Sequence, residues 1–402
     1  MGLCASQEEK KERYRVKHHI PHDEISKKRS MERQRSSNSA KKSMEQRCEG
    51  GSGSQLGGDR SGKHDAKAKD IGDKSKDKAS VAASGQIANY KPKRPKLDPK
   101  DFQFKDLKGE VVIKPAGSIN GQAFTIDTCE DCDLYIIDCC AQVTIDKAKN
   151  CRIFIGPTEG SVFIRDSVNC QMAVVCRQLR TRDCVDIDVA LFCRTRPVIE
   201  ASTDMRFTCF DLNYEALAPQ MKAAKLDALH NFWSHVYDFT PATGKAANWS
   251  LLGPEASVES LLGSPELPEK AAEALGKVET GALLVTWGDR SPAPSPDYVF
   301  ILFPPKAAEA AGTWVAEARS KGVLLRANKV VLEAGAAGNI AATAGWQSKD
   351  AKLLSSGGPC VGFELSGSKC AAALSPSASA AGALISEEED AGRMFRYTGL
   401  EG

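Results

Sequence analysis

The chain has 402 residues and a formal net charge of +2 at pH 7, and this length allows two domains. The charge is uneven, because residues 1–100 carry 25 Lys and Arg against 14 Asp and Glu, which leaves a net acidic remainder. No apolar run is long enough to span a membrane and no apolar signal region stands at the start, so we expect neither a membrane-spanning helix nor secretion.

The first residues, Met-Gly-Leu-Cys-Ala-Ser, fit an N-myristoylation pattern. Gly2 becomes the acceptor once the initiator Met is removed, and Ser6 completes the pattern. Cys4 is placed for palmitoylation, and a basic cluster follows from Lys10 to Lys17. One acyl chain binds membranes only reversibly, whereas two signals give stable anchoring. We therefore predict that this end attaches to a membrane and that the chain does not bind nucleic acid.

Composition divides the chain into four parts. Residues 1–97 are rich in Lys, Ser, Gly and Asp and predict a disordered basic tether, because such a segment buries too little apolar surface to fold. We assign residues 98–252 to a β-rich domain, 253–280 to a linker containing Pro and Glu, and 281–402 to a second domain.

An internal repeat runs through the β-rich domain. Cys132, Cys151 and Cys170 recur every 19 residues, and Ile187 and Met205 follow at spacings of 17 and 18. Each unit contains short alternating strands. The period matches one coil of a parallel β-helix, in which equivalent residues stack inside. An antiparallel sandwich is the alternative, although hairpin dipeptides are lacking.

Ten of the 14 cysteines lie between Cys129 and Cys209. In a chain that is not secreted they should be reduced and serve as small buried hydrophobic residues. Cys129 and Cys132 form a lone Cys-x-x-Cys pair without a second pair of ligands. We therefore predict no metal site.

One stretch of the repeat has unusual chemistry. Gln178, Arg180 and Arg182 alternate with Leu179 and Thr181, so a β-strand would present the first three on one face. Such a row suits a phosphate-rich partner, but basic residues also protect exposed strand edges. The repeat places Arg180 on the outside of the coil.

The rest of the chain carries fewer signals. Apolar spacing predicts a helix over roughly 214–236, and Phe239 is either a core residue or an exposed apolar contact. Residues from 281 onward predict a β-α-β-α-β-α order, typical of an α+β, ferredoxin-like domain. The expected elements are strands Tyr298–Phe303, Val323–Val331 and Cys360–Leu365, with a helix at Ala307–Lys321.

Several stretches together are specific: Asp98-Pro99-Lys100-Asp101-Phe102, Cys-x-x-Cys-Asp-x-Tyr-Ile from residue 129, Gln178 to Cys184, Pro197 to Glu200, and Asn248 to Leu252. In this combination they resemble the tubulin-folding cofactor C domain family. The resemblance covers residues 98–252. It implies a right-handed parallel β-helix.

The resemblance also implies a function. Family members with this layout are GTPase-activating proteins for an Arf-like small GTPase that carries lipidated cargo to cilia. Arg180 matches the arginine finger, Gln178 a flanking glutamine, Glu200 an acid supporting Arg182, and Phe239 an apolar contact with the GTPase. GTP and Mg²⁺ belong to the partner, so the chain needs no cofactor of its own. The expected location is the cytoplasmic face of the plasma membrane, near a cilium or basal body.

Two alternatives remain open at this point: a non-catalytic GTPase effector or scaffold, and a tubulin-folding cofactor. The C-terminal part resembles a nucleoside diphosphate kinase-like module. That chemistry needs a phosphorylated histidine, and all six histidines precede residue 236, so we expect no kinase activity. One departure from the family pattern is Leu3, which separates Gly2 from Cys4.

Overall fold

The structure is a computed structural model that describes residues 98–242, 247–263, 268–276, 283–290 and 297–398. The predicted lipidation sites Gly2 and Cys4 and the tether over 1–97 lie outside the described residues.

The first part is a parallel β-solenoid. Its strands form one twelve-stranded sheet in which all neighbouring strands pair in parallel. The predicted β-helix is therefore confirmed, and the antiparallel sandwich is excluded. The strands are β1 Gln103–Lys105, β2 Val111–Lys114, β3 Phe124–Asp127, β4 Asp133–Ile136, β5 Val143–Asp146, β6 Arg152–Arg165, β7 Val168–Arg182, β8 Val185–Cys193, β9 Val198–Glu200, β10 Thr203–Cys209, β11 Tyr237–Asp238 and β12 Trp249–Leu251.

The repeat fixes the register of this solenoid. Cys170 lies opposite Ile187, and Ile187 lies opposite Met205, as the spacing predicts. Cys132, Cys151 and Cys170 are all buried in the core. Because each rung buries its inward residues on the next rung, inward residues that recur along the chain form a stack of side chains inside the solenoid.

Polar residues form one corner of the coil. Asp131, Asn150 and Asn169 have φ between 52° and 55°, a left-handed conformation that Asp and Asn tolerate better than most residues. The Asn150 amide donates to Asp131 Oδ1 over 2.9 Å, and the Asn169 amide donates to Asn150 Oδ1 over 2.8 Å. This ladder turns the chain at the same place on successive rungs.

The predicted helix over 214–236 is mostly wrong. The helix α1 covers only Leu217–Ala223, and the chain then continues in turns. Asn231 explains the difference, because its side-chain oxygen accepts hydrogen bonds from the N–H groups of Cys193 and Trp233. Phe232 N–H also donates to the carbonyl of Cys193 over 2.7 Å. The segment thus binds the C-terminal end of β8 through the Asn231 side chain and the Phe232 N–H group, which a helix would have used internally.

Two short helices follow the solenoid: α2 Val258–Leu262 and α3 Glu269–Leu275. Their buried residues join an apolar cluster on the outer face of the coil that includes Tyr135 and Phe154. The described residues of 253–280 therefore pack against the solenoid.

The C-terminal part has the predicted α+β architecture. Its sheet has the order β14-β15-β13-β16 with antiparallel neighbours, as in a ferredoxin-like fold. The elements are β13 Tyr298–Phe303, α4 Ala308–Ala318, β14 Val323–Val330, α5 Ala334–Thr343, α6 Ser348–Leu354, β15 Cys360–Ser366, α7 Cys370–Ala380, β16 Leu384–Ser386 and α8 Glu389–Tyr397. Single 3₁₀ turns at Pro99–Phe102 and Pro305–Ala307 precede β1 and α4.

Residues 283–290 connect this part to the end of the solenoid. The Trp233 indole donates to Thr286 Oγ1 over 2.8 Å, and the Ser234 hydroxyl donates to Asp289 over 2.9 Å. The Arg290 guanidinium lies over the Trp233 ring at 4.8 Å and donates to the Leu252 carbonyl over 2.8 Å. The segment that leads to Tyr237 is thereby held between the two parts.

Candidate functional site

The end of β7 presents the predicted basic row. Leu179 and Thr181 are buried, whereas Arg180 and Arg182 are exposed and Gln178 is half-buried. Strand alternation produces this separation, since successive side chains point to opposite faces. Replacing an outward residue here should leave the inward packing intact.

Parallel register brings the other predicted residues to the same face. Arg180 lies opposite Phe163 on one neighbouring rung and Val198 on the other, and Arg182 lies opposite Glu200. The carboxylate that pairs with Arg182 is that of Asp183, at 3.9 Å. Within the described residues Arg182 and Glu200 form no ion pair, so Glu200 is a neighbour of the Arg182 guanidinium without being its hydrogen-bond acceptor.

A phenylalanine stands at the centre of this face. The half-buried ring of Phe163 has three guanidiniums around it: Arg165 at 5.3 Å, and Arg180 and Arg182 at 5.8 Å each. Arg165 is bound in bidentate fashion by Asp146, with both contacts at 2.6 Å, and these hydrogen bonds raise the pKa of Arg165. Among the described residues, Arg180 forms no ion pair. Its positive charge is therefore available to an external anion.

An aromatic pair lies two rungs away from Arg180. Tyr237 pairs with Val198, so Arg180, Val198 and Tyr237 occupy equivalent positions on adjacent strands. Phe239 is 62% exposed and its ring lies 6.2 Å from that of Tyr237. The structure thus favours the exposed-contact alternative for Phe239.

The loop that carries this pair is fixed by polar contacts. Phe239 N–H donates to the Ile199 carbonyl over 2.8 Å, and Ala201 N–H donates to Thr240 Oγ1 over 2.6 Å. The Asn248 amide donates to Asp238 over 2.9 Å. Because the backbone of this loop is already held in place, the loop loses little further freedom on binding, which suits a protein contact.

Two residues of this face were not singled out from the sequence. Tyr237 is 43% exposed. The Arg196 guanidinium lies over the Tyr237 ring, 5.0 Å from the ring centroid. The alternation of Tyr237 with Phe239 around Asp238 was an available signal. Phe163 has a weaker sequence signal: it precedes Arg180 by 17 residues, about one period of the repeat, but this spacing does not show that three guanidiniums converge on its ring.

The Cys-x-x-Cys pair points into the core, where Cys132 donates to the Glu130 carbonyl over 3.1 Å. Burial raises the pKa of the Cys129 thiol to about 11. Within the described ranges, no cluster of three or more His, Cys, Asp or Glu side chains is arranged to hold a metal ion. None of the helices described is both long and apolar enough to cross a membrane.

A small cavity lies where the C-terminal part meets the solenoid. Its arginines, Arg326 and Arg396, both contact the buried Glu364 carboxylate, and Arg326 also pairs with Asp289. These charges offset one another. The cavity includes neither Arg180 nor Phe239, so the arginine-rich face remains the better candidate site.

Comparison with known proteins identifies the domain that carries this face. Residues 121–239 match the family model "Tubulin binding cofactor C", and this range contains β7 and extends to Phe239. This part of the solenoid is a tubulin binding cofactor C domain. The family predicted from sequence is thereby confirmed.

Similar proteins include XRP2 proteins and tubulin-folding cofactors. Protein XRP2 from Xenopus laevis is 40% identical over 199 residues, covering 49% of this chain and 56% of that protein. Protein XRP2 from Danio rerio is 38% identical over 242 residues, covering 60% and 64%. Tubulin-folding cofactor C from Arabidopsis thaliana is 32% identical over 156 residues, covering 38% and 45%. The chain is thus XRP2-like with a tubulin binding cofactor C domain, although it matches less than two thirds of the length of these relatives.

Proposed function

We propose that this chain is a GTPase-activating protein that supplies Arg180 in trans to an Arf-like small GTPase in its GTP state. The proposal rests on the exposure of Arg180 and, among the described residues, on its lack of a carboxylate partner. Arg180 is exposed on a rigid rung and, within the described residues, it has no carboxylate partner. An arginine that acts on a nucleotide bound by another protein must be exposed and unpaired, because an ion pair within its own chain would occupy its N–H donors.

The chemistry follows from the charge that builds up during GTP hydrolysis. Negative charge spreads over the transferred phosphoryl group and the leaving oxygen, and a guanidinium supplied in trans raises the rate by about 10³–10⁵-fold. Arginine suits this task because it stays ionised and donates to two oxygens at once. In this proposal GTP and Mg²⁺ are held by the partner, and Gln178, beside Arg180, contacts partner groups around the nucleotide.

The surrounding face serves binding. Arg182 and Glu200 lie in register beside Arg180 and would contact polar groups of the partner. Phe239 and Tyr237 provide an exposed aromatic pair two rungs away. Buried aromatic side chains dominate the affinity of many interfaces, whereas exposed ion pairs set orientation. Catalysis and binding therefore depend on different residues of one face.

The remaining parts of the proposal concern location. Acyl chains on Gly2 and Cys4, together with the basic residues that follow, would hold the chain at the cytoplasmic face of a membrane. A location at the plasma membrane and near the cilium, with a role in transport of lipidated proteins, belongs to the same proposal.

A panel of purified Arf-like GTPases tests the proposal. Each GTPase, loaded with GTP, is mixed with this chain, and phosphate release is followed over a single turnover. The proposal expects strong stimulation of at least one member. Binding to a GTP-loaded member without faster hydrolysis would instead favour a non-catalytic effector or scaffold.

The names of some relatives favour a second candidate, a tubulin-folding cofactor. Tubulin-folding cofactor C from Arabidopsis thaliana matches 156 residues of this chain. The same phosphate-release assay with GTP-loaded tubulin in place of the GTPase separates this candidate from the first. Faster GTP hydrolysis on tubulin, with no effect on the Arf-like GTPases, would support the cofactor function.

A further inference from the structure

We infer that Phe163 is a positioning residue for Arg180: its ring holds the exposed guanidinium in place without occupying the N–H groups that a phosphate would need. The inference rests on the proposed function. It starts from the convergence of three guanidiniums on one ring, at 5.3 to 5.8 Å.

The three arginines around Phe163 differ in their other partners. Arg165 is fixed by two hydrogen bonds to Asp146, and Arg182 has Asp183 within 3.9 Å. The ring of Phe163 is the one charge-complementing contact that the described residues offer to the Arg180 guanidinium. Within the described residues, no ion pair or side-chain hydrogen bond restrains the end of the Arg180 side chain besides this ring contact.

The type of contact matters for catalysis. A carboxylate partner would accept the forked N–H groups of arginine, and these are the groups that bind two phosphate oxygens. An aromatic face attracts the cation through its quadrupole and leaves the N–H groups free. The ring therefore orders the guanidinium while preserving its function.

The platform itself is well fixed. Phe163 lies in β6 between Thr144 on the preceding rung and Arg180 on the following one. Its chain neighbours Val162 and Ile164 are fully buried, so strand alternation directs the ring outward. The position of the ring is thus set by the solenoid core.

The test uses the full chain and the GTPase that it stimulates, under single-turnover conditions with the concentration of this chain varied. Phe163→Leu should lower the maximal hydrolysis rate about two- to fivefold while the half-saturating concentration changes less than about twofold. Phe163→Tyr, which keeps an aromatic ring, should have a maximal hydrolysis rate near the wild-type value. Thr144→Ala, at the equivalent half-buried position one rung earlier, is the matched control and should not change the rate.

A double-mutant comparison separates positioning from a general structural effect. In an Arg180→Ala background, Phe163→Leu should have no further effect on the maximal rate, because the group that the ring positions is gone. Circular dichroism and thermal unfolding of each variant establish that it is folded. The inference is overturned if Phe163→Leu stays within about 1.5-fold of wild type, or if it lowers the rate equally in both backgrounds.

Two outcomes distinguish failure of the proposed function from failure of the inference about Phe163. If Arg180→Ala leaves hydrolysis unchanged, the proposed function fails and the inference fails with it. If Arg180→Ala abolishes stimulation and Phe163→Leu does not reduce it, only the inference about Phe163 is wrong.

Discussion

Removal of the Phe239 ring should weaken binding of the GTPase without slowing the chemical step. The side chain is 62% exposed, and a phenylalanine presents about 200 Å² of surface. A partner that covers the exposed share would bury about 120 Å², worth about 3 kcal/mol. Since about 1.4 kcal/mol corresponds to a factor of ten, the half-saturating concentration for Phe239→Ala should rise by up to about 100-fold.

The assay is single-turnover hydrolysis of GTP on the partner, with the concentration of this chain varied. Phe239→Ala should reach the wild-type maximal rate at higher concentration, because Arg180 is untouched. Val331→Ala is a matched control, since Val331 is 63% exposed but belongs to the C-terminal part. An unchanged half-saturating concentration for Phe239→Ala, or an equal increase for Val331→Ala, would refute the assignment of Phe239 to the interface.

Two further predictions concern stability and location. Burial, aided by the nearby charge of Arg194, lowers the pKa of His230 from 6.5 to about 4. Protonation therefore favours the unfolded chain, and the free energy of unfolding should fall by about 2 kcal/mol between about pH 7.5 and pH 5. Urea titrations should show a much smaller fall for His230→Gln, and an identical fall would contradict this assignment. Gly2→Ala should move the protein from the membrane fraction to the soluble fraction, and the anchor is disproved if the variant stays with membranes.

The solenoid could be predicted from sequence because its register is written in a local pattern. Equal spacing of Cys132, Cys151 and Cys170 shows which residues stack, and alternation shows which side chains face outward. The outward position of Arg180 followed from these two rules alone. The C-terminal strands could also be predicted from sequence, since β13, for example, is a short apolar run that the structure buries.

Other features depend on contacts between residues distant in sequence. The apolar spacing over 214–236 is compatible with a helix, but Asn231 and Phe232 instead bind Cys193, 38 or more residues earlier. The convergence of three arginines on Phe163 likewise depends on side-chain positions on two adjacent strands, β6 and β7. The distinction between Glu200 and Asp183 as neighbours of Arg182 depends on distances that register does not provide.

In the proposed function, Arg180 completes the active site of another protein. The most direct measurement is the maximal single-turnover hydrolysis rate of the GTP-loaded partner with saturating wild-type chain, Arg180→Ala, Arg180→Lys and the control Arg177→Ala, which alters another exposed arginine of the same strand. We expect a loss of about 10³–10⁵-fold for Arg180→Ala, a poor rate for Arg180→Lys and a nearly normal rate for Arg177→Ala. A folded Arg180→Ala variant that still stimulates hydrolysis within about threefold of wild type would contradict the proposed function.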